Sequence, residues 1–122
     1  MSRAFVCCTL ALLLTPAAVV AEPLLLEVER ATAGFDRRTG VPAVDVQFTE
    51  QAKRRFGQFT TDHVGRKVEF RIDGQTVTKP VLRTPILGGK ISISDNLSIE
   101  WARDIAARLS SGAKIEVEVL PE

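Results

Sequence analysis

The chain has 122 residues, and 16 Lys+Arg against 15 Asp+Glu leave a formal net charge of +1 at pH 7. So small an excess of positive charge does not suit a protein that grips phosphate backbones, and no nucleic-acid partner is expected. Two adjacent cysteines (Cys7 and Cys8) and one histidine (His63) are too few for the usual Cys/His zinc sites, and the length suits one domain.

Residues 1–21 read as a secretory signal peptide: Arg3 supplies the positive start, Ala4 to Leu14 an apolar region, and Val19-Val20-Ala21 a small-residue cleavage site before Glu22. The apolar stretch from Ala4 to Ala21 is 18 residues long and contains Thr15-Pro16. A spanning helix needs roughly 20, so cleavage is expected over retention as an anchor, with no membrane span afterwards. Lipidation at Cys7 or Cys8 needs the apolar region before the cysteine, and here it follows. Cleavage would leave 101 residues with 15 basic and 15 acidic side chains and no cysteine. Such a chain has no disulfide and no thiolate nucleophile, which a bacterial periplasm permits. A domain of this size buries roughly 60–70% of its unfolded surface.

Leu24, Leu26 and Val28 alternate with Leu25, Glu27 and Glu29, which predicts an opening half-buried strand; residues 22–42 are that strand and the turn-rich loop from Gly34 to Pro42. Val44, Val46 and Phe48 resume the period of two. Thr49 is placed to cap a helix whose inner face carries Ala52, Phe56 and Phe59, with the stop at Gly65. Strands are predicted at Val68 to Ile72 and Thr76 to Leu82, joined through Asp73-Gly74. After a Pro/Gly loop from Arg83 to Gly89, Ile91 and Ile93 alternate with serines. Ser98 caps a second helix with Ala102, Ile105, Ala106 and Leu109 inward, and Ile115, Val117 and Val119 close the chain as a strand. The fold class is therefore α+β. Its β-α-β-β-α-β order, with extra short strands, predicts two helices on one face of a mainly antiparallel, ferredoxin-like sheet.

Chemistry is scarce in this pattern. His63 is the only base from which a Ser-His-Asp arrangement could be built, and its position at a helix end predicts capping or packing. Gly88-Gly89-Lys90 does not make a phosphate loop, which needs Gly where Thr84 stands and Ser or Thr where Ile91 stands. Glu116 and Glu118 share one side of a strand, as acid/base carboxylates would, but alternation on a solvated face places them there as well. Lys53-Arg54-Arg55 with Arg66-Lys67 forms a basic cluster that reads as a solvated helix face. No catalytic residue, cofactor or metal ligand is predicted. Two features suit binding: the loop Pro85, Ile86, Leu87, Gly88 and Gly89, with apolar residues between turn residues, and Trp101 at the border of its helix's inner stripe.

The series Thr60-Thr61, Val64-Gly65-Arg66-Lys67, Ile72-Asp73-Gly74, Pro80-Val81, Pro85-Ile86 with Gly88-Gly89, Leu97-Ser98 and Ala102-Arg103-Asp104-Ile105-Ala106, closing on Leu109-Ser110-Ser111-Gly112-Ala113, falls in one order at one spacing. It resembles the head of the first periplasmic domain of SecD and SecDF, accessory membrane subunits of the bacterial Sec protein-export machinery. The resemblance runs from about Val44 to Ile115, within a head-like domain expected over residues 43–122. It implies an α+β head that contacts translocating polypeptide. Family members carry this head between transmembrane helices and beside a base subdomain, to which at most the strand from Leu24 corresponds here.

The resulting expectation is a non-enzymatic periplasmic or secreted binding module. Its partner would be an unfolded or extended polypeptide, or an envelope protein such as a Sec component. The alternatives are a small secreted enzyme using carboxylate chemistry and a structural module docking on full-length SecD.

Overall fold

The structure, a computed structural model, describes residues 22–122; the expected signal peptide, with Cys7 and Cys8, lies outside the described residues. The chain runs β1 (Leu24–Leu26), β2 (Val28–Phe35), β3 (Pro42–Phe48), α1 (Glu50–Asp62), β4 (Val68–Ile72), β5 (Gln75–Thr78), β6 (Lys90–Ile93), α2 (Ile99–Ser110) and β7 (Ile115–Val119). The α+β class is as the alternation implied, and from β3 onward the order matches the expected one with β6 as the extra strand. All the strand pairs are antiparallel. They divide between two sheets, one ordered β1-β7-β4-β5 and the other β2-β3-β6.

Local signals set the element ends. The Thr49 hydroxyl accepts from the Ala52 amide at 3.2 Å, and the Ser98 hydroxyl accepts from the Trp101 amide at 3.0 Å, so each helix has a side-chain N-cap. Asp73 and Gly74 both have positive φ, as a tight type I′ hairpin turn requires. In the β2–β3 turn the Asp36 carboxylate accepts from the amides of Arg38 and Thr39, and these bonds hold its pKa below the usual carboxylate value.

The structure departs from the expected boundaries in three places. Strand β2 continues through Gly34 to Phe35, where a loop was expected, because its inward positions Ala31 and Ala33 are small and give a faint alternation. The opening strand is two strands, β1 and β2, in different sheets. The strand expected from Thr76 to Leu82 stops at Thr78, since Pro80 has no N–H for a ladder. Val81 then returns as a single bridge opposite Lys67.

One cluster of buried side chains joins both sheets and both helices. Phe56 on α1 is fully buried at its centre. Its ring lies 5.1 Å from that of Phe48 on β3 and 6.0 Å, edge-on, from that of Phe70 on β4, so one side chain touches both sheets. Phe56→Ala is therefore expected to lower unfolding free energy by about 3–5 kcal/mol, read as a lower denaturant midpoint. A loss under about 1 kcal/mol would show that the sheets hold together without this ring.

Candidate functional site: a groove between two strand edges

Among the described residues, strand β5 pairs only with β4 and β6 only with β3, so each sheet ends there in an open edge. The two edges flank one groove of about 570 Å³, with Thr78 and the Pro80–Thr84 segment on one wall and Lys90–Asp95 on the other. Ile86 and Phe70 also line it. The Thr78 hydroxyl reaches the Asp95 carboxylate across the walls at 3.5 Å.

The Arg83–Gly89 loop is laid against α1 by specific contacts. The Ile86 amide donates to the Thr60 hydroxyl at 2.9 Å, and the same hydroxyl donates to the Phe56 carbonyl within α1. At the loop's far end the Gly89 carbonyl accepts from the Phe48 amide at 2.8 Å. Two glycines permit the close approach. A Cβ on Gly57 of α1 would stand 3.3 Å from Leu87 Cδ2, and one on Gly89, whose φ is +70°, would stand 2.8 Å from Lys53 Cγ.

The six residues singled out for binding do not form one surface. Ile86 is half-buried against the core and lines the groove. Leu87, 64% exposed, turns away onto a shallow patch with Lys53 and Gly57, while Pro85 and Gly88 are exposed and Gly89 is buried. Trp101 is half-buried on α2, the helix that lies across β2 and β3, and is not among the groove-lining residues. Lys90, Ser92 and Val81, which bound the groove, are not among the residues that the sequence singled out for binding. Pro80, disfavoured within a central strand, was the one local sign that an edge lay nearby.

The ionisable groups have mainly structural partners. Nδ1 of His63 donates to the Phe59 carbonyl at 2.8 Å, and its ring packs on that of Phe59 at 4.6 Å, which is the cap its position predicted. Arg71 on β4 binds Glu116 at 2.8 Å and Glu118 at 2.6 Å on β7, and also Glu69. Hydrogen bonds to Glu116, Glu118 and Glu69 push the Arg71 pKa up, so it stays charged. Arg55 of the basic cluster donates to the Leu25 carbonyl at 3.0 Å, on the edge strand β1. Among the described residues, no group of three or more His, Cys, Asp or Glu side chains could hold a metal ion. No helix among them is long and apolar enough to cross a membrane.

Fold and site together define a small α+β head domain whose open feature is a groove between two strand edges. A family model described as the SecDF P1 head subdomain matches residues 11–114. SecDF of Thermus thermophilus is 36% identical over 93 residues, 75% of this chain and 12% of that protein. SecD of Rhodobacter capsulatus is 36% identical over 74 residues, 61% of this chain and 13% of that protein. A solved structure described as a membrane component SecDF that enhances protein export superposes with a TM-score of 0.66 at 32% identity, covering 79% of this chain and 44% of that one. A second, SecDF in a super-membrane-facing form, gives the same TM-score and identity over 78% of this chain and 13% of that one. The chain belongs to the SecDF P1 head subdomain family, and it spans about an eighth of the length of the two relatives named.

Two substitutions probe these contacts. Thr60→Val keeps the shape but removes the hydroxyl that holds the loop, so stability should fall by about 1–2 kcal/mol and the Ile86 amide should exchange faster with solvent. Unchanged exchange at Ile86 would show that the loop is held by packing alone. Arg71→Ala leaves three carboxylates facing one another, and a loss of about 1–2 kcal/mol is expected after allowing for partial solvent exposure. An equal loss for Glu116→Gln would place the effect in one pair rather than in the shared cation.

Proposed function

We propose that this chain is a non-enzymatic, periplasmic accessory module of protein export that binds polypeptide in an extended state. The observation that carries this reading is the groove itself, where open strand edges meet an apolar side chain, Ile86, held in place by Thr60. Extended peptides bind other proteins by adding to such an edge, with main-chain hydrogen bonds for affinity and side-chain pockets for selectivity. Membership of a family whose relatives are protein translocase subunits gives the binding its setting. Polypeptide in transit fits that setting, as does an exposed segment of a Sec component.

Catalysis by the paired carboxylates has little support. Glu116 and Glu118 are drawn onto Arg71 on the outer face of the four-stranded sheet, and neither lines the groove. A general base needs a free lone pair within reach of a bound substrate.

Titration of the full chain with a reduced, alkylated and fluorescently labelled unfolded polypeptide tests the reading. Saturable binding is expected. Ile86→Asp should weaken it about ten-fold or more, since the displaced apolar contact is worth at least about 1.4 kcal/mol. Leu87→Asp, outside the groove, should leave affinity within about two-fold. Absence of binding by the unaltered chain, or equal affinity for Ile86→Asp, would overturn the proposal.

A further inference from the structure

The pairing registers show which backbone groups point into the groove. Antiparallel ladders alternate between residue pairs that exchange hydrogen bonds and pairs whose N–H and C=O point outward. The bond from the Phe48 amide to the Gly89 carbonyl sets the phase for β6. Lys90 opposite Gln47 and Ser92 opposite Asp45 are then outward pairs, with their backbone groups on the edge away from β3.

The opposite wall has the same property. Val68 donates to the Pro80 carbonyl and Leu82 donates to the Arg66 carbonyl, which flank the Lys67–Val81 bridge. This pattern turns the Val81 N–H and C=O away from β4 and towards the groove. The Lys67 carbonyl confirms the phase by accepting from Leu120 on its other side. Val81 and both β6 residues line the groove, and among the described residues neither backbone group of Val81 has a hydrogen-bond partner.

We propose that an extended polypeptide segment enters the groove as a bridging strand, hydrogen-bonded to β6 on one side and to Val81 on the other, so that the two sheets become one. This rests on the polypeptide-binding reading above and specifies how the chain is held. The match is electrostatic. Both walls present amide N–H and carbonyl groups of alternating partial charge, and successive residues of a strand direct their own groups to opposite edges. Recognition through these groups depends on the ligand backbone and tolerates many sequences, with a preference for an apolar side chain where Ile86 and Ile91 line the groove. Proline at a paired position is excluded because it has no N–H.

A labelled peptide of about ten residues, alternating valine and threonine between lysines, tests the geometry against the full chain. Esters replacing the amides at odd or at even positions delete N–H groups along one edge at a time. A bridging strand predicts that either set weakens binding about ten-fold. Ser92→Pro and Val81→Pro, each removing one outward donor, should also weaken it, with circular dichroism confirming the fold. Loss with one ester set alone would show addition to a single edge and overturn the bridge. Tolerance of both sets, with Ile86→Asp still weakening binding, would also overturn it and leave the polypeptide-binding reading standing. No binding of the unmodified peptide, when unfolded polypeptide still binds, would overturn the bridge alone; failure of both probes would overturn both readings.

Discussion

The burial of Phe56 is the contact on which the rest of this head depends. Its ring reaches Phe48 in one sheet and Phe70 in the other, and the helix that carries it supplies the bed for the Arg83–Gly89 loop. The two sheets share no strand, so α1 and its neighbours in the core set their relative placement. The groove between their edges is a consequence. One turn further along α1, Thr60 uses a single buried hydroxyl to satisfy both a helix carbonyl and the Ile86 amide. The wall of the groove is thereby tied to the element that positions both sheets.

The charged face of the four-stranded sheet follows a separate logic. Glu69, Glu116 and Glu118 would repel one another across adjacent strands if Arg71 did not stand among them. A planar guanidinium with several donors can serve three carboxylates at once, which a lysine ammonium does less well. This arrangement accounts for the alternating glutamates of the last strand as sheet pairing. At the far edge of the same sheet, Arg55 reaches the Leu25 carbonyl and occupies part of the edge that β1 exposes. Among the described residues, no side chain reaches the outward backbone groups of Val81, Lys90 or Ser92 in the same way, so these edge groups lie bare beside the groove.

Much of the fold was legible in the residues. Thr49 and Ser98 cap their helices, Asp73-Gly74 turns its hairpin, and the apolar positions of both helices lie in the core. Strand β2 was not legible because alanines at 31 and 33 give little contrast with their neighbours, and their role is to admit α2 closely. The candidate site was legible only in part. The loop around Ile86 stood out by its apolar residues between prolines and glycines, yet Ile86 and Leu87, adjacent in sequence, face different surroundings. Trp101 stood out by its chemistry and stands on the other helix. The groups that bound the groove are backbone amides and carbonyls, which every residue but proline carries alike.

The sequence by itself determined the α+β class, the order of the elements from β3 onward, the helix caps and the family series, because caps, turns and periodicity act between residues near in the chain. Only the tertiary structure decided that the strands part into two sheets, that Arg71 gathers three carboxylates, and that Val81, Lys90 and Ser92 face one groove. These are relations between residues distant in sequence. Which edge of a strand stays unpaired depends on what packs beside it, and here both sheets pack on the one Phe56 ring while each keeps an end strand bordering the groove.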